Sequence, residues 1–113
     1  MTNNCVFCSI IEGNTPANKV YEDDDMIVIS DIHPIAPLHY LVIPKEHYPT
    51  LSEMSVFSAS NLAMIFKKIP SIAKQLEYGN GYRLVVNQGS EAGQSVPHFH
   101  IHLLGGRKMR FEV

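Results

Sequence analysis

Apolar residues follow two different spacings along this chain. Five short segments are rich in β-branched and aromatic residues, which is typical of strands, and one longer segment between the third and the fourth has helical spacing. The predicted strands are Val20 to Glu22, Met26 to Ser30, Tyr40 to Pro44, Tyr82 to Asn87 and Pro97 to Leu104. We expect them to form one antiparallel sheet, which places the chain in the α+β class.

The helical segment carries apolar side chains at intervals of three and four residues. These residues are Leu62, Ile65, Phe66, Ile69, Ile72, Ala73 and Leu76. Ser58 or Ser60 is expected to cap the N-terminus of this helix. Pro70 is expected to kink or split it, because proline lacks an N–H and its ring displaces the carbonyl four residues back. A second, short helix is predicted at about Phe7 to Glu12.

Composition adds the size and charge of the molecule. The chain has 113 residues, of which 45% are apolar, and a formal charge of -2, so we expect one soluble domain over residues 1–113. It has no apolar run near about 18 residues and no signal-like N-terminus, which predicts a cytoplasmic protein that does not enter a membrane. The slightly acidic balance argues against a nucleic-acid surface, so any nucleotide is expected to be a small molecule in a pocket.

Three histidines occupy alternate positions near the C-terminal end of the chain: His98, His100 and His102. A strand would place all three on one face, while Phe99, Ile101 and Leu103 pack inward. The outer two Cα atoms would be about 13 Å apart, whereas zinc needs each ligand nitrogen within about 2.1 Å. One metal ion therefore cannot hold all three. The pattern favours a reactive face over three half-exposed strand residues.

A polar loop precedes the histidines. Residues 87–95 read NQGSEAGQS, and Gly89 and Gly93 permit a positive φ and a close approach of the backbone. Successive N–H groups in such turns form anion-binding concavities. An ordinary connection between two strands is the alternative, and the neighbouring histidines favour a phosphate-binding loop.

The segment Gln94 to Arg107, QSVPHFHIHLLGGR, resembles the signature of the histidine triad (HIT) nucleotide-binding proteins. Its Leu-Gly-Gly-Arg ending is similar to the Hint branch, the nucleoside phosphoramidase type. Three further segments are similar to stretches of the same family: Cys5 to Gly13, Asp31 to Pro34 and His39 to Lys45. The resemblance covers nearly the whole chain and implies a HIT-like fold with two subunits whose sheets join in a homodimer.

The chemistry of imidazole and the resemblance together give each histidine a role. A neutral imidazole is a nucleophile toward phosphorus, and covalent catalysis divides one displacement into two easier steps. His100 is the predicted nucleophile, because the middle histidine is best placed over a phosphate held by the preceding loop. The resemblance implies that the main-chain carbonyl of His98 directs the other ring nitrogen of His100, and that His102 donates to the phosphate oxygens.

The resemblance also implies a nucleotide site. The phosphate is expected to lie among Asn87, Gly93, Gln94 and Ser95, with the Ser95 hydroxyl near the leaving group. Asp31 is expected to accept both ribose hydroxyls, with Ile32 and Ile10 beside a purine base. From the residues alone, Asp31 is more typical of a turn, and His39 is more typical of a structural residue at a strand start.

Cys5 and Cys8 form a C-x-x-C pair, which fits a redox site, half of a zinc site or two buried thiols. A disulfide is not expected to persist in a cytoplasmic protein, and the βαβ context of a redox pair is missing. Some bacterial HIT proteins bind structural zinc through this pair and two histidines. The resemblance therefore implies a zinc site of Cys5, Cys8, His47 and His98, with plain thiol packing as the alternative.

The expected activity is hydrolysis of a purine nucleoside 5′-phosphoramidate to an amine and a monophosphate such as AMP or GMP. It proceeds through a nucleotidyl-histidine and needs no organic cofactor. A dinucleoside polyphosphate hydrolase and a non-catalytic nucleotide-binding or partner-binding module are the alternatives. In the Hint branch the C-terminal residues reach toward the partner subunit's active site, and the different tail here, Lys108 to Val113, leaves the amine preference open.

Overall fold

The computed structural model of the protein describes residues 5–111. Over these residues the chain forms two α-helices, α1 (Val6–Ile11) and α2 (Val56–Gln75), and five strands. The strands are β1 (Lys19–Glu22), β2 (Met26–Ser30), β3 (Leu38–Pro44), β4 (Arg83–Val85) and β5 (Ile101–Gly105). Short 3-10 turns lie at Leu51–Glu53 and Ser90–Ala92. The predicted strands, long helix and short N-terminal helix are confirmed, with shifted ends.

The five strands form one antiparallel sheet in the order β1-β2-β3-β5-β4. β5 therefore lies between β3 and β4. In this register His102 of β5 stands between Leu41 of β3 and Val85 of β4, and Leu104 stands between His39 and Arg83. Directly opposite residues point to the same face of a sheet, so these two rows of side chains share one face.

The two faces of the sheet carry separate apolar clusters. The larger one lies under α2 and contains Met26, Val28, Val42, Tyr48, Leu62, Ile65, Ile69, Ile72, Ala73, Tyr78, Phe99, Ile101 and Leu103. The smaller one lies under α1 and contains Cys5, Phe7, Cys8, Ile10, Ile27, Ile29, Leu41 and Ile43. Alternate residues of β2 and β3 enter different clusters, as the period of two requires. Each strand thus serves both faces.

Helix α2 begins and continues differently from the prediction. Ser55 is its N-cap, because the Ser55 side chain accepts a hydrogen bond from the Ser58 N–H at 3.0 Å; neither Ser58 nor Ser60 is the cap. Pro70 does not split the helix. Ile69 and Ile72 on either side of it are buried against the sheet, so packing offsets the lost backbone hydrogen bond. No helix within residues 5–111 is both long and apolar enough to cross a membrane.

The histidine segment departs from the predicted strand. β5 starts at Ile101, so His98 and His100 precede it, and only His102 lies in the strand. The chain turns away from β3 here, because the Phe99 N–H donates to the Tyr48 carbonyl at 2.8 Å instead of continuing the ladder. The alternation itself is retained. Phe99, Ile101 and Leu103 pack in the α2 cluster, while the histidine rings contact residues on the α1 side.

Candidate active site and metal centre

The tautomer of His100 follows from one hydrogen bond. Its Nδ1 lies 2.7 Å from the main-chain carbonyl of His98, and a carbonyl only accepts, so Nδ1 carries the proton. In the neutral ring the other nitrogen, Nε2, carries the free lone pair. Phe7 of α1 packs edge-on against the ring, with centroids 5.1 Å apart, and the residue is only 6% exposed. The structure thus holds the imidazole in one orientation, with Nδ1 toward the His98 carbonyl.

A chain of hydrogen bonds sets the tautomer of His102. The Ile35 N–H donates to Nδ1 of His39 at 3.1 Å, so the proton of neutral His39 is on Nε2. That Nε2 lies 3.0 Å from Nδ1 of His102 and 3.2 Å from a carboxylate oxygen of Asp31. The single Nε2 proton of His39 is therefore shared between these two acceptors. Because a protonated nitrogen faces Nδ1 of His102, the proton of neutral His102 is placed on Nε2, where it can be donated to a ligand.

Burial favours the neutral forms of the His39 and His102 rings. It lowers the pKa of His39 against the opposing pull of the Asp31 carboxylate. It also lowers the pKa of His102, where the neighbouring His100 and His39 add to the effect. Sequence reasoning missed this role of His39, because its contact with His102 arises only when β3 pairs with β5. The one sign of this role in the sequence is that His39 stands at a strand start, after Asp31.

The four residues expected to bind zinc converge at one point. His98 Nδ1 lies 3.4 Å from the Cys5 sulfur, 3.6 Å from the Cys8 sulfur and 3.1 Å from His47 Nδ1. The Cys8 sulfur is 3.3 Å from His47 Nδ1. A tetrahedral zinc ion holds neighbouring nitrogen and sulfur ligands about 3.3–3.8 Å apart. The residues present therefore fit a closed Cys₂His₂ site with little rearrangement.

His98 presents the correct atom to that site. Its Nε2 lies 2.7 Å from the Pro44 carbonyl and must donate to it, which leaves Nδ1 unprotonated toward the two sulfurs. Burial lowers the pKa of His98 to about 4, opposed by the Pro44 hydrogen bond and assisted by His47 and His100. Both cysteines are buried, and neither forms a disulfide. The neutral imidazole is the form that a metal ion requires.

The polar loop before the histidines has a positive φ at both of its glycines, as predicted. Gly89 and Gly93 have φ of 91° and 89°, which favour glycine at both positions. The Gln94 side chain braces the turn: its oxygen accepts from the Gly89 N–H at 2.8 Å, and its nitrogen donates to the Pro49 carbonyl at 2.7 Å. Asn87 donates to the Ala92 carbonyl at 2.8 Å. Gln94 thus shapes the loop with both ends of its amide.

The other predicted nucleotide contacts lie at different depths. Asp31 is half-buried beside His39, and its second oxygen accepts from the His33 N–H at 2.7 Å. Ile32 is 85% exposed and offers an open apolar surface, whereas Ile10 is buried in the α1 cluster. Ser95 is exposed at the end of the loop. These roles in nucleotide binding stay predictions.

The profile of the HIT domain family matches residues 12–109 of the chain. The chain belongs to the HIT family. Protein HitA of Neisseria gonorrhoeae is 41% identical over 102 residues, which cover 90% of this chain and 95% of HitA. An uncharacterized HIT-like protein of Chlamydia muridarum is 48% identical over 101 residues, covering 89% and 80% of the two chains. The predicted family is confirmed, and the Hint branch within it stays a prediction.

Solved structures of the HIT family share the fold. A HIT family hydrolase from Clostridium thermocellum superposes with a TM-score of 0.93 at 44% identity, covering 100% of this chain and 99% of that one. A zinc-bound histidine triad family protein from Mycobacterium smegmatis gives a TM-score of 0.79 at 34% identity, covering 95% and 78%. The five-stranded antiparallel architecture is therefore a property that this chain shares with solved HIT proteins.

Proposed function

We propose that this HIT protein hydrolyses purine nucleoside 5′-phosphoramidates to a nucleoside monophosphate and an amine. The observation that carries the proposal is the pair of tautomers. His100 is held by the His98 carbonyl with a free lone pair on Nε2, and His102 is held by His39 with a proton on Nε2. The two rings are neighbours, with centroids 5.2 Å apart. A nucleophile and a hydrogen-bond donor side by side suit attack on a phosphorus atom.

The reaction takes place in two displacements. His100 Nε2 forms a bond to the α-phosphorus while the bond from phosphorus to the amine breaks. The amine leaves with a proton supplied through Ser95 and the histidine network, because an unprotonated amide ion is a poor leaving group. Water then displaces His100 from phosphorus and restores the free imidazole. The sum is phosphoramidate plus water giving monophosphate plus amine.

The surroundings of the histidines suit a nucleotide. The glycine turns of the loop allow a phosphate to approach the backbone closely, and the His102 N–H adds a donor where charge develops. Asp31 lies beside His39 with carboxylate oxygens suited to ribose hydroxyls. Ile32, exposed next to Asp31, offers an apolar surface to a base. These features favour a purine nucleotide such as AMP or GMP as the bound product.

The test is release of AMP from adenosine 5′-phosphoramidate by the wild type, by His100→Ala and by His33→Ala. His33 is an exposed histidine, so its variant controls for removal of an imidazole as such. We expect His33→Ala to keep turnover and His100→Ala to lose at least about a thousandfold in kcat while still binding AMP. A wild type that binds AMP without turnover would favour a binding module, and cleavage only of dinucleoside polyphosphates would favour the sister hydrolase.

We also propose that Cys5, Cys8, His47 and His98 bind a structural zinc ion. The support is the convergence of the four ligand atoms, which all lie within 4.8 Å of one another, and the zinc-bound relative from Mycobacterium smegmatis. When bound, the ion supplies a cross-link between α1, the segment after β3 and the histidine segment. Elemental analysis of tag-free protein should find one zinc per chain, and Cys5→Ser should lose it. A zinc content near zero in the wild type would count against this site.

A homodimer joined through β4 is the proposed assembly. β1 and β4 are the two edges of the sheet, and they differ in character. β1 has a charged residue at each end, Lys19 and Glu22, which discourage pairing, whereas β4 has a charged residue only at its start and exposes Leu84 after the partly exposed Tyr82. Light scattering during gel filtration should give twice the chain mass, and Leu84→Lys should shift it toward the monomer.

A further inference from the structure

The proposed zinc site and the proposed nucleotide site are built on shared segments, and His98 contributes to both. Its ring faces the two thiols, with Nδ1 3.4 Å from the Cys5 sulfur and 3.6 Å from the Cys8 sulfur. Its main-chain carbonyl accepts the Nδ1 proton of His100 at 2.7 Å. The residue is fully buried. A ligand that fixes the His98 ring therefore also restricts the carbonyl that orients His100.

The segment after β3 is a second connection between the two sites. His47 Nδ1 lies 3.3 Å from a thiol sulfur of the zinc site. Two residues later, the Pro49 carbonyl accepts a hydrogen bond from the Gln94 side chain at 2.7 Å. The Leu51 N–H then donates to the Gln88 side-chain oxygen, also at 2.7 Å. Both glutamines belong to the polar loop that is expected to hold the phosphate, so the position of His47 is linked to that of the loop.

Helix α1 is a third connection. It carries Cys8, a proposed zinc ligand. The preceding residue, Phe7, packs edge-on against His98 and His100, with ring centroids 5.9 Å and 5.1 Å away. Phe7 is only 6% exposed, so its close-packed ring cannot shift without moving these neighbours. Each segment that supplies a zinc ligand therefore also contacts a catalytic histidine or the phosphate loop.

We propose that zinc and a nucleotide bind this protein cooperatively, so that the Cys₂His₂ site regulates both nucleotide affinity and the orientation of His100. This inference rests on the proposed function. Four protein ligands leave zinc no open position for a substrate, so the metal site acts only through the positions of its ligands. Both ligands need the same arrangement of the shared segments, and the entropy of ordering them is lost only once. By linkage, each ligand tightens binding of the other by the same factor.

The experiment measures two affinities of the full-length, tag-free protein. Competition with a chromophoric chelator gives zinc affinity with and without saturating AMP, and calorimetry gives AMP affinity for zinc-loaded and chelator-treated protein. We expect each ligand to tighten the other about tenfold. In Cys5→Ser, zinc should no longer tighten AMP binding, which controls for contact between AMP and zinc in solution. Nitrogen-15 NMR should show one Nδ1–H tautomer of His100 with zinc bound, and exchange between tautomers after chelation.

Two variants test the route of the coupling without removing a ligand of either site. Phe7→Leu removes the ring that contacts the two histidines, and Gln88→Ala removes the acceptor of the Leu51 N–H. Each should lower the coupling factor from about tenfold to about threefold or less, while both ligands still bind. Phe57→Leu is the matched control, because Phe57 lies on α2 and is 71% exposed. It should leave the factor unchanged.

Zinc affinity that AMP leaves unchanged, in a protein that binds both, would overturn the cooperativity. A factor that Phe7→Leu and Gln88→Ala alter no more than Phe57→Leu does would overturn its route through these contacts. A protein that bound only one of the two ligands would overturn it as well. Turnover enters none of these measurements. Coupled binding without turnover would therefore refute the hydrolase alone, and an active enzyme with independent sites would refute the coupling alone.

Discussion

The two faces of the sheet use the same strands for different purposes. The α2 face is filled by apolar side chains under a helix of 20 residues, whereas the α1 face combines a few apolar residues with histidines and thiols under a helix of 6 residues. Close packing of a broad apolar face provides most of the stability of a small domain. The α1 face can therefore hold polar groups in defined orientations, because packing of the α2 face offsets the free energy that is lost when those polar groups are buried.

Phe99 and His100 are adjacent residues on the two faces, and they give the largest expected contrast. Phe99 is 1% exposed in the α2 cluster, so Phe99→Ala should lower the free energy of unfolding by about 3–5 kcal/mol. His100→Ala should cost far less stability and remove turnover instead. Urea denaturation and AMP release, measured on both variants, test the contrast. Equal losses of stability would mean that the α1 face is as much a core as the other face.

Acid should lower the stability of the metal-free protein, because His98 on the α1 face is buried as a neutral ring. Burial lowers the pKa of this ring to about 4 in the folded protein, while the unfolded chain takes up its proton near the ordinary value of about 6.5. Stability contributed by the neutral ring is present above that value and is lost as the pH falls below it. Metal-free protein should therefore lose on the order of 2 kcal/mol between pH 6.5 and 4.5.

The measurement is urea denaturation of chelator-treated protein across that pH range, with His98→Asn as the comparison. The variant lacks the titrating ring and should have a flatter profile, although it starts from a lower stability because its Pro44 partner is changed. Parallel profiles in the two proteins would assign the acid effect to other groups.

The helix cap gives the smallest expected effect. Ser55→Ala removes the acceptor of the Ser58 N–H and should cost about 1 kcal/mol. Ser60 lies exposed within α2, so Ser60→Ala should be neutral or slightly stabilising, since alanine has the higher helix propensity. Thermal unfolding of both variants tests whether the N-terminal cap of α2 contributes to the stability of the protein. A loss in Ser60→Ala as large as that in Ser55→Ala would contradict the assigned cap.

The errors in the predicted elements are of two kinds. The cap is a local error, because Ser55, three residues before Ser58, accepts the hydrogen bond; Pro70 is typical of a break, yet α2 continues through it against the sheet. The histidine strand was predicted to start at Pro97, yet the Tyr48 carbonyl captures the Phe99 N–H first. The outcomes at Pro70 and Phe99 depend on partners distant in sequence, and tertiary packing overrides local preference at such positions.

By itself the sequence determined the strand and helix content, the alternation of the histidines with apolar residues and the C-x-x-C spacing of Cys5 and Cys8. These features depend on periodicity over a few residues, and backbone geometry alone converts periodicity into faces. Only the tertiary structure decided the role of His39 and the tautomers of the triad. A ring proton is placed by the carbonyl or N–H that faces it, and the packing of distant segments brings that group into position.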